Sequence, residues 1–229
     1  MKEIDVARIL DNIAKACARA HRDPGEVKIQ GATKGVSAEV IRKAIALGIT
    51  IIGENRVNEA KAKAAEGAYS GSTLCLIGHL QSNKASMAAR IFDEVHSVDS
   101  ERIASLLSKF RKYYCLGPLP VLLEVNVGRD PAKYGLPEEA ALETAEKLME
   151  MPALQLKGLF TVAPGYGDLQ LARSAFRALR ELRDDLVRHG IPEANMRELS
   201  MGMSADYEVA VEEGATIVRL GTVLFGPRQ

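Results

Sequence analysis

Apolar positions along this chain recur at two spacings that take turns. Val6, Ile9, Leu10, Ile13 and Cys17 fall at three- and four-residue intervals, which places them on one stripe of a helix within the first twenty residues. After it, short runs of strand-like composition alternate with helical stretches. The strand runs are "VKIQGAT", "ITIIGEN", "TLCLIGH", "EVHSV", "VLLEVNV", "LKGLFTV", "RELSMG" and "TIVRLGT". Between them lie "SAEVIRKAIALG", "SNKASMAARIF", "SERIASLLSKF", "PEEAALETAEKLMEM" and "DLQLARSAFRALRELRDDLVRHG", which carry the helical period. Strict alternation calls for parallel strands, since each helix returns the chain to the end of the sheet where the next strand begins. Eight strand runs in this order predict an α/β fold, a single (β/α)8 TIM barrel over residues 1–229 with the first helix as an addition. A doubly wound open sheet is the second possibility, but no G-x-G-x-x-G follows the first strand.

Punctuation agrees with these cuts. Ser37, Ser82 and Ser100 stand where N-caps belong, Pro137 lies at a helix start, and Gly48 and Gly190 stand just past helix ends. Ser204 is placed to cap the helix after strand seven.

Composition narrows the partners. Thirty Lys+Arg balance thirty Asp+Glu, so no global field holds nucleic acid or an anionic membrane, and any anionic ligand needs a local site. A small-molecule ligand is expected. Cys17, Cys75 and Cys115 are an odd number without a C-x-x-C pair; all three read as small core residues in a reducing compartment. Asp5, Arg8 and Asp11 interrupt the first helix and no apolar run reaches membrane-spanning length, so a cytoplasmic protein without signal peptide or membrane anchor is expected. The four histidines show no metal-ligand spacing to one another, and no metal site is expected.

The candidate chemistry sits where the strands end. In a (β/α)8 barrel the C-terminal strand ends converge on one mouth. Here they deliver Lys34, Glu54 and Asn55, His79, Asn126, Thr161, Ser200 and Ser204, and Arg219 with Thr222. Lys34 poses the sharpest question, because a lysine held in apolar surroundings is costly as an ammonium and nucleophilic as an amine, whereas one that has left the sheet simply sits in water. Asn126 and Thr161 have an ordinary reading as loop hydrogen-bonders, and His79 as a loop or core residue. The stretches "LSMGMSAD" and "VRLGTVLFG" close strands seven and eight with glycine and hydroxyl residues, the place where barrels of this type hold phosphate.

These residues carry a resemblance. "GATKGV", "IIGENRVNEA", "LIGHLQSNK", "VHSVDS", "LLEVNVGRDPAKYGL", "LKGLFTV" and "LSMGMSADYEVAVEEGATIVRLGTVLFG" resemble, in order, the pyridoxal phosphate homeostasis protein family, from about residue 27 to the C-terminus. The resemblance implies a barrel like the N-terminal domain of alanine racemase that carries pyridoxal 5′-phosphate. It makes Lys34 the Schiff-base lysine, with Lys84 in "QSNK" as the rival. Ser204 with the backbone of Gly221 and Thr222 would hold the phosphate, Arg219 would face the pyridine nitrogen, Asn55 would lie beside the ring, and Ser200 joins the cofactor-binding set. Gly35 and Arg56 depart from the family's commonest pattern and bear on ring access, and "VAPGYGDLQ" is compact.

An arginine facing the ring nitrogen can only donate, so the nitrogen stays unprotonated and the electron sink is weak. With no second domain after Gln229 to supply an opposing base, the expected role is vitamin B6 homeostasis without substantial turnover. A pyridoxal-phosphate racemase-like enzyme is the alternative, and a cofactor-free Schiff-base lyase the third reading. Apoenzymes that require the cofactor are the expected protein partners of a monomer.

Overall fold

The computed structural model of the protein describes residues 4–226. Eight strands, β1 (Lys28–Ala32), β2 (Ile51–Glu54), β3 (Thr73–Leu76), β4 (Glu94–Val98), β5 (Leu119–Glu124), β6 (Leu154–Phe160), β7 (Glu198–Met203) and β8 (Ile217–Leu220), close into one barrel in chain order. Every neighbouring pair is parallel, and β8 returns to β1 through Lys28 opposite Ile217 and Gln30 opposite Arg219. Helix α1 (Val6–Arg19) precedes the barrel, and α2 (Ala38–Ala46), α3 (Val57–Ala65), α4 (Ala85–Ile91), α5 (Glu101–Tyr113), α6 (Ala141–Met149), α7 (Leu169–Arg188), α8 (Tyr207–Glu212) and α9 (Thr222–Phe225) follow the strands one by one. Among the described residues no helix is long and apolar enough to cross a membrane.

Alternation along the strands builds two environments. Ile52, Leu74, Leu76, Val95, Val121, Leu123, Leu159, Leu199, Met201, Val218 and Leu220 join the core between strands and helices. Their neighbours Gln30, Cys75, His96, Leu122, Phe160, Ser200 and Arg219 are buried yet lie outside that cluster, and fill the lumen. The lumen is therefore polar, and the apolar shell around it carries the hydrophobic stabilisation, at about 1.5–3 kcal/mol for each large aliphatic side chain buried.

The predicted strands are all present, but β2, β3 and β5 end one to three residues before the quoted runs do. Lys34, Asn55, His79 and Asn126 consequently lie on loops past the strand ends. Helix α3 went unpredicted because it turns only Val57, Ala60 and Lys63 inward, so its apolar stripe is faint. On α1 the buried stripe is Ile9, Ile13, Ala16 and Cys17, while Leu10 is 52% exposed. The helix packs across α8, where Asn12 Nδ2 donates to the Tyr207 hydroxyl at 2.9 Å.

Ser100 caps α5 by accepting from the Ile103 N–H. Ser37 occupies the N-cap of α2 without a side-chain bond, and Ser82 begins a 3-10 turn, Ser82–Lys84, instead of capping it. Gly48 and Gly190 end their helices with φ of +95° and +104°, as a helix-terminating glycine should. Cys115 corrects the expectation of three core cysteines: it is exposed, in a left-handed conformation at φ +52° just past α5.

Candidate functional site at the barrel mouth

Lys34 sits at the second position of a four-residue turn. The Val36 N–H donates to the Thr33 carbonyl at 2.9 Å, and Gly35 at the third position has φ +73°, the value such a turn demands and glycine alone adopts without strain. Gly35 is thus explained by backbone geometry. The peptide groups on both sides of Lys34 are pinned by α3: Lys63 Nζ donates to the Thr33 carbonyl at 2.7 Å, and Glu59 Oε1 accepts from the Gly35 N–H at 2.7 Å.

Beneath this turn lies a buried network. Lys63 Nζ also reaches Glu54 Oε1 at 2.8 Å and Glu59 Oε1 at 2.7 Å, while the Thr33 and Tyr69 hydroxyls donate to the same Glu54 oxygen at 2.7 and 2.9 Å. Glu54 is fully buried and its other oxygen, Oε2, has no protein partner. Burial, then the negative charge of Glu54, pushes the Tyr69 hydroxyl well above its usual pKa. Burial pushes Glu59 up, but Lys63 and the Gly35 N–H outweigh it and leave its carboxyl below the usual value.

The half-buried Lys34 side chain faces a cleft of about 750 Å³ shared with Asn55, Arg56, Gly78, His79, Lys84 and Tyr134. Gly78 lets the loop after β3 pack directly on the Asn55 backbone, since a Cβ there would stand 2.3 Å from the Asn55 carbonyl oxygen. His79 lies parallel to the Tyr134 ring at 3.8 Å between centroids, and its Nδ1 is 2.9 Å from Asp99 Oδ2.

Deeper in the lumen, on the strand beside β1 and level with Gln30, is Arg219. It is 4% exposed, donates through Nη1 to Ser200 Oγ at 3.0 Å and through Nη2 to the Thr161 carbonyl at 2.7 Å, and its guanidinium lies 4.2 Å over the Phe160 ring. Burial lowers its pKa to about 10 against the opposing charges of Asp206 and Glu124, so it is cationic at neutral pH. Glu124, at the end of β5, is pushed up to about 7 by burial, then by the charge of Asp99, with Arg219 opposing. Its Oε2 has no protein partner.

At the ends of β7 and β8, next to β1 around the mouth, Ser204 does not cap α8; Asp206 takes the N-cap position and accepts from the Met203 N–H instead. Ser204 Oγ accepts from the Gly221 and Val223 N–H groups at 3.1 and 3.2 Å, tying the β7 and β8 loops together and leaving its own proton free to donate. Thr222 lies between those two residues and is exposed.

The structure thus brings Lys34 with Asn55, Arg219 with Ser200, and Ser204 with Gly221, as three groups around one mouth. Asn126 bonds within its own loop, to Asp130, while the Thr161 hydroxyl donates across to the Val125 carbonyl and its carbonyl accepts from Arg219. Missed by the sequence reading were Lys63, Glu59, Tyr69, Glu124, Tyr134 and the Val223 N–H. Lys63 stands on the inner face of a helix that the sequence disguised; the backbone N–H of a valine leaves no signature at all.

The family described as alanine racemase, N-terminal domain, matches residues 4–229. A pyridoxal phosphate homeostasis protein of Aquifex aeolicus is 41% identical over 224 residues, covering 98% of this chain and 97% of that one. Its namesake in Escherichia coli is 34% identical, covering 98% and 95%. The structure of PipY from Synechococcus elongatus with pyridoxal phosphate bound superposes with a TM-score of 0.82 at 35% identity, over 93% of this chain and all of that one. An alanine racemase of Clostridium difficile shares the fold, with a TM-score of 0.73 at 15% identity, over 95% of this chain and 56% of the racemase.

Proposed function

The chain belongs to the alanine racemase N-terminal domain family, among the pyridoxal phosphate homeostasis proteins, and on that premise we propose that Lys34 holds the cofactor without sustained turnover. The protein binds pyridoxal 5′-phosphate and serves vitamin B6 homeostasis. That cofactor supplies an aldehyde that condenses with an amine and, when its ring nitrogen is protonated, an electron sink.

The observation that carries the reading is the pairing of a braced, half-buried Lys34 with a buried cationic arginine on the adjacent strand. Lys34 presents its amine from a turn fixed on both sides, as a Schiff-base lysine must. Arg219 has only donors to offer, so a ring nitrogen facing it accepts a hydrogen bond and stays unprotonated, which keeps carbanion chemistry slow. Ser200 and the Thr161 carbonyl fix the guanidinium in place. The Ser204 hydroxyl and Thr222 would donate to a phosphate group, joined by the Gly221 N–H if it turned from Ser204 Oγ to the phosphate, and Asn55 lines the cleft with Lys34 and would lie beside the ring. The cleft beside Lys34 and the unpartnered Glu124 oxygen leave polar room for such a ligand.

The same reading takes residues 1–229 as one cofactor-binding domain, a cytoplasmic monomer that meets apoenzymes as partners. Borohydride reduction of the loaded protein followed by peptide mass mapping tests the attachment: the label belongs on Lys34. Label on Lys84 or on no lysine overturns it. Amino-acid turnover at ordinary enzyme rates would make the racemase-like alternative the better account.

A further inference from the structure

Lower in the lumen, toward the strand start at Glu94, three side chains of different chemistry converge. The ligand atoms of Cys75 on β3 and of Glu94 and His96 on β4 all lie within 4.8 Å of one another. His96 Nε2 is 2.8 Å from Glu94 Oε2, and Cys75 Sγ is 3.8 Å from the same oxygen. Cys75 and His96 are buried in the lumen, whereas the Glu94 side chain is 33% exposed and opens the cluster to solvent at the barrel floor.

A second observation points the same way. Gln30 is fully buried, and neither its amide nitrogen nor its amide oxygen has a hydrogen-bond partner, nor has His96 Nδ1. The Gln30 amide stands next to the Cys75 thiol, close enough to influence it but without a hydrogen bond of ordinary geometry, so a buried polar group faces the cluster from β1. Buried polar atoms left unpaired are costly, and a site that collects several has room for a partner the protein chain does not supply.

We propose that Cys75, Glu94 and His96 bind a soft divalent cation of the zinc class, with a fourth position open toward the barrel floor. Thiolate, imidazole and carboxylate are the donor set that zinc prefers, and contacts of about 2.0–2.3 Å to a central ion need only small movements from the present separations. One thiolate and one carboxylate neutralise the ion, so no net charge is buried. On binding, the Cys75 thiol proton leaves to solvent and the His96 proton moves from Nε2 to Nδ1, freeing Nε2 to ligate. Burial raises the thiol's pKa, so the ion has to displace that proton. The N-terminal face of a barrel serves stability, and a zinc-class ion there would brace β3 against β4.

Calorimetric titration of the intact protein with zinc chloride tests this. One ion per chain is expected, with affinity rising about tenfold per pH unit below the thiol pKa. Cys75→Ser should weaken binding by about a hundredfold or more, while Cys115→Ser, which removes the exposed thiol, should leave it unchanged. Should Cys75→Ser not fold, X-ray absorption of the zinc-loaded wild type decides, with one sulfur expected at about 2.3 Å. Absence of stoichiometric binding, undiminished affinity in a folded Cys75→Ser, loss confined to Cys115→Ser, or a first shell without sulfur would each overturn the proposal.

Discussion

Lys63→Met tests whether the brace under the Lys34 turn is as consequential as its geometry implies. Lys63 Nζ makes three short bonds, to the Thr33 carbonyl, Glu54 Oε1 and Glu59 Oε1, and only 11% of its side chain is exposed. Methionine keeps the aliphatic length and removes the charge. Glu54, fully buried and already lacking a partner on Oε2, would keep only two hydroxyl donors against a full negative charge. Removing one member of a buried ion pair costs about 3–5 kcal/mol, chiefly through the charge left behind. For a domain of this size that corresponds to a fall in Tm of roughly 6–20 °C. The assay is urea unfolding of wild type, Lys63→Met, Glu54→Gln and the double variant. Because Glu54→Gln removes the stranded charge, the double variant should lose less than the two singles together, by about 1–3 kcal/mol. A cost of Lys63→Met below about 1 kcal/mol, or strict additivity in the cycle, refutes the reasoning. The same variant frees the Thr33 carbonyl beside Lys34, and cofactor loading measured by its visible absorption should fall with it.

Ser204→Ala with Thr222→Ala should weaken cofactor retention in equilibrium dialysis by roughly tenfold or more for each charge-assisted donor lost, at about 1.5–3 kcal/mol apiece; unchanged affinity refutes the phosphate assignment. Arg219→Glu should protonate the ring nitrogen and speed α-hydrogen exchange of bound amino acids in heavy water, followed by NMR; a variant that binds cofactor but gains no exchange refutes the role given to Arg219. Burial, which comes first, holds Glu124 at about 7 against an ordinary 4.5. A carboxyl raised on folding favours the native state below pH 4.5, and that advantage is lost as pH rises through about 7, at a cost of about 3 kcal/mol. Glu124→Gln should therefore flatten the fall in stability between pH 5 and 8, and an unaltered pH profile refutes the assignment.

The pattern of apolar positions was enough to give the barrel. Eight strand-like runs, separated by runs of helical period, leave parallel strands with helical crossovers as the economical solution, and "GHLQSNK" and "SMGMSADYEVAVEEGATIVRLGT" carry the family most specifically. Lys34, Arg219 and Ser204 were legible for the same reason: each stands at or near the end of a strand, and strand ends share one mouth. What Ser204 does was not legible, because its role as acceptor for two N–H groups of another loop depends on how β7 and β8 sit side by side. Nor was Lys63, whose helix hides its inward face behind alanines, nor the early ends of β2, β3 and β5 that put Asn55, His79 and Asn126 on loops. The cluster of Cys75, Glu94 and His96 shows the limit most plainly. Histidine spacing along the chain argued against a metal site, yet strand register sets Cys75 opposite Glu94 across nineteen residues of sequence. Local sequence fixes period and termini, because those depend on neighbours a few residues apart. Which side chains meet across the lumen is decided by register and barrel closure, which belong to the whole chain at once.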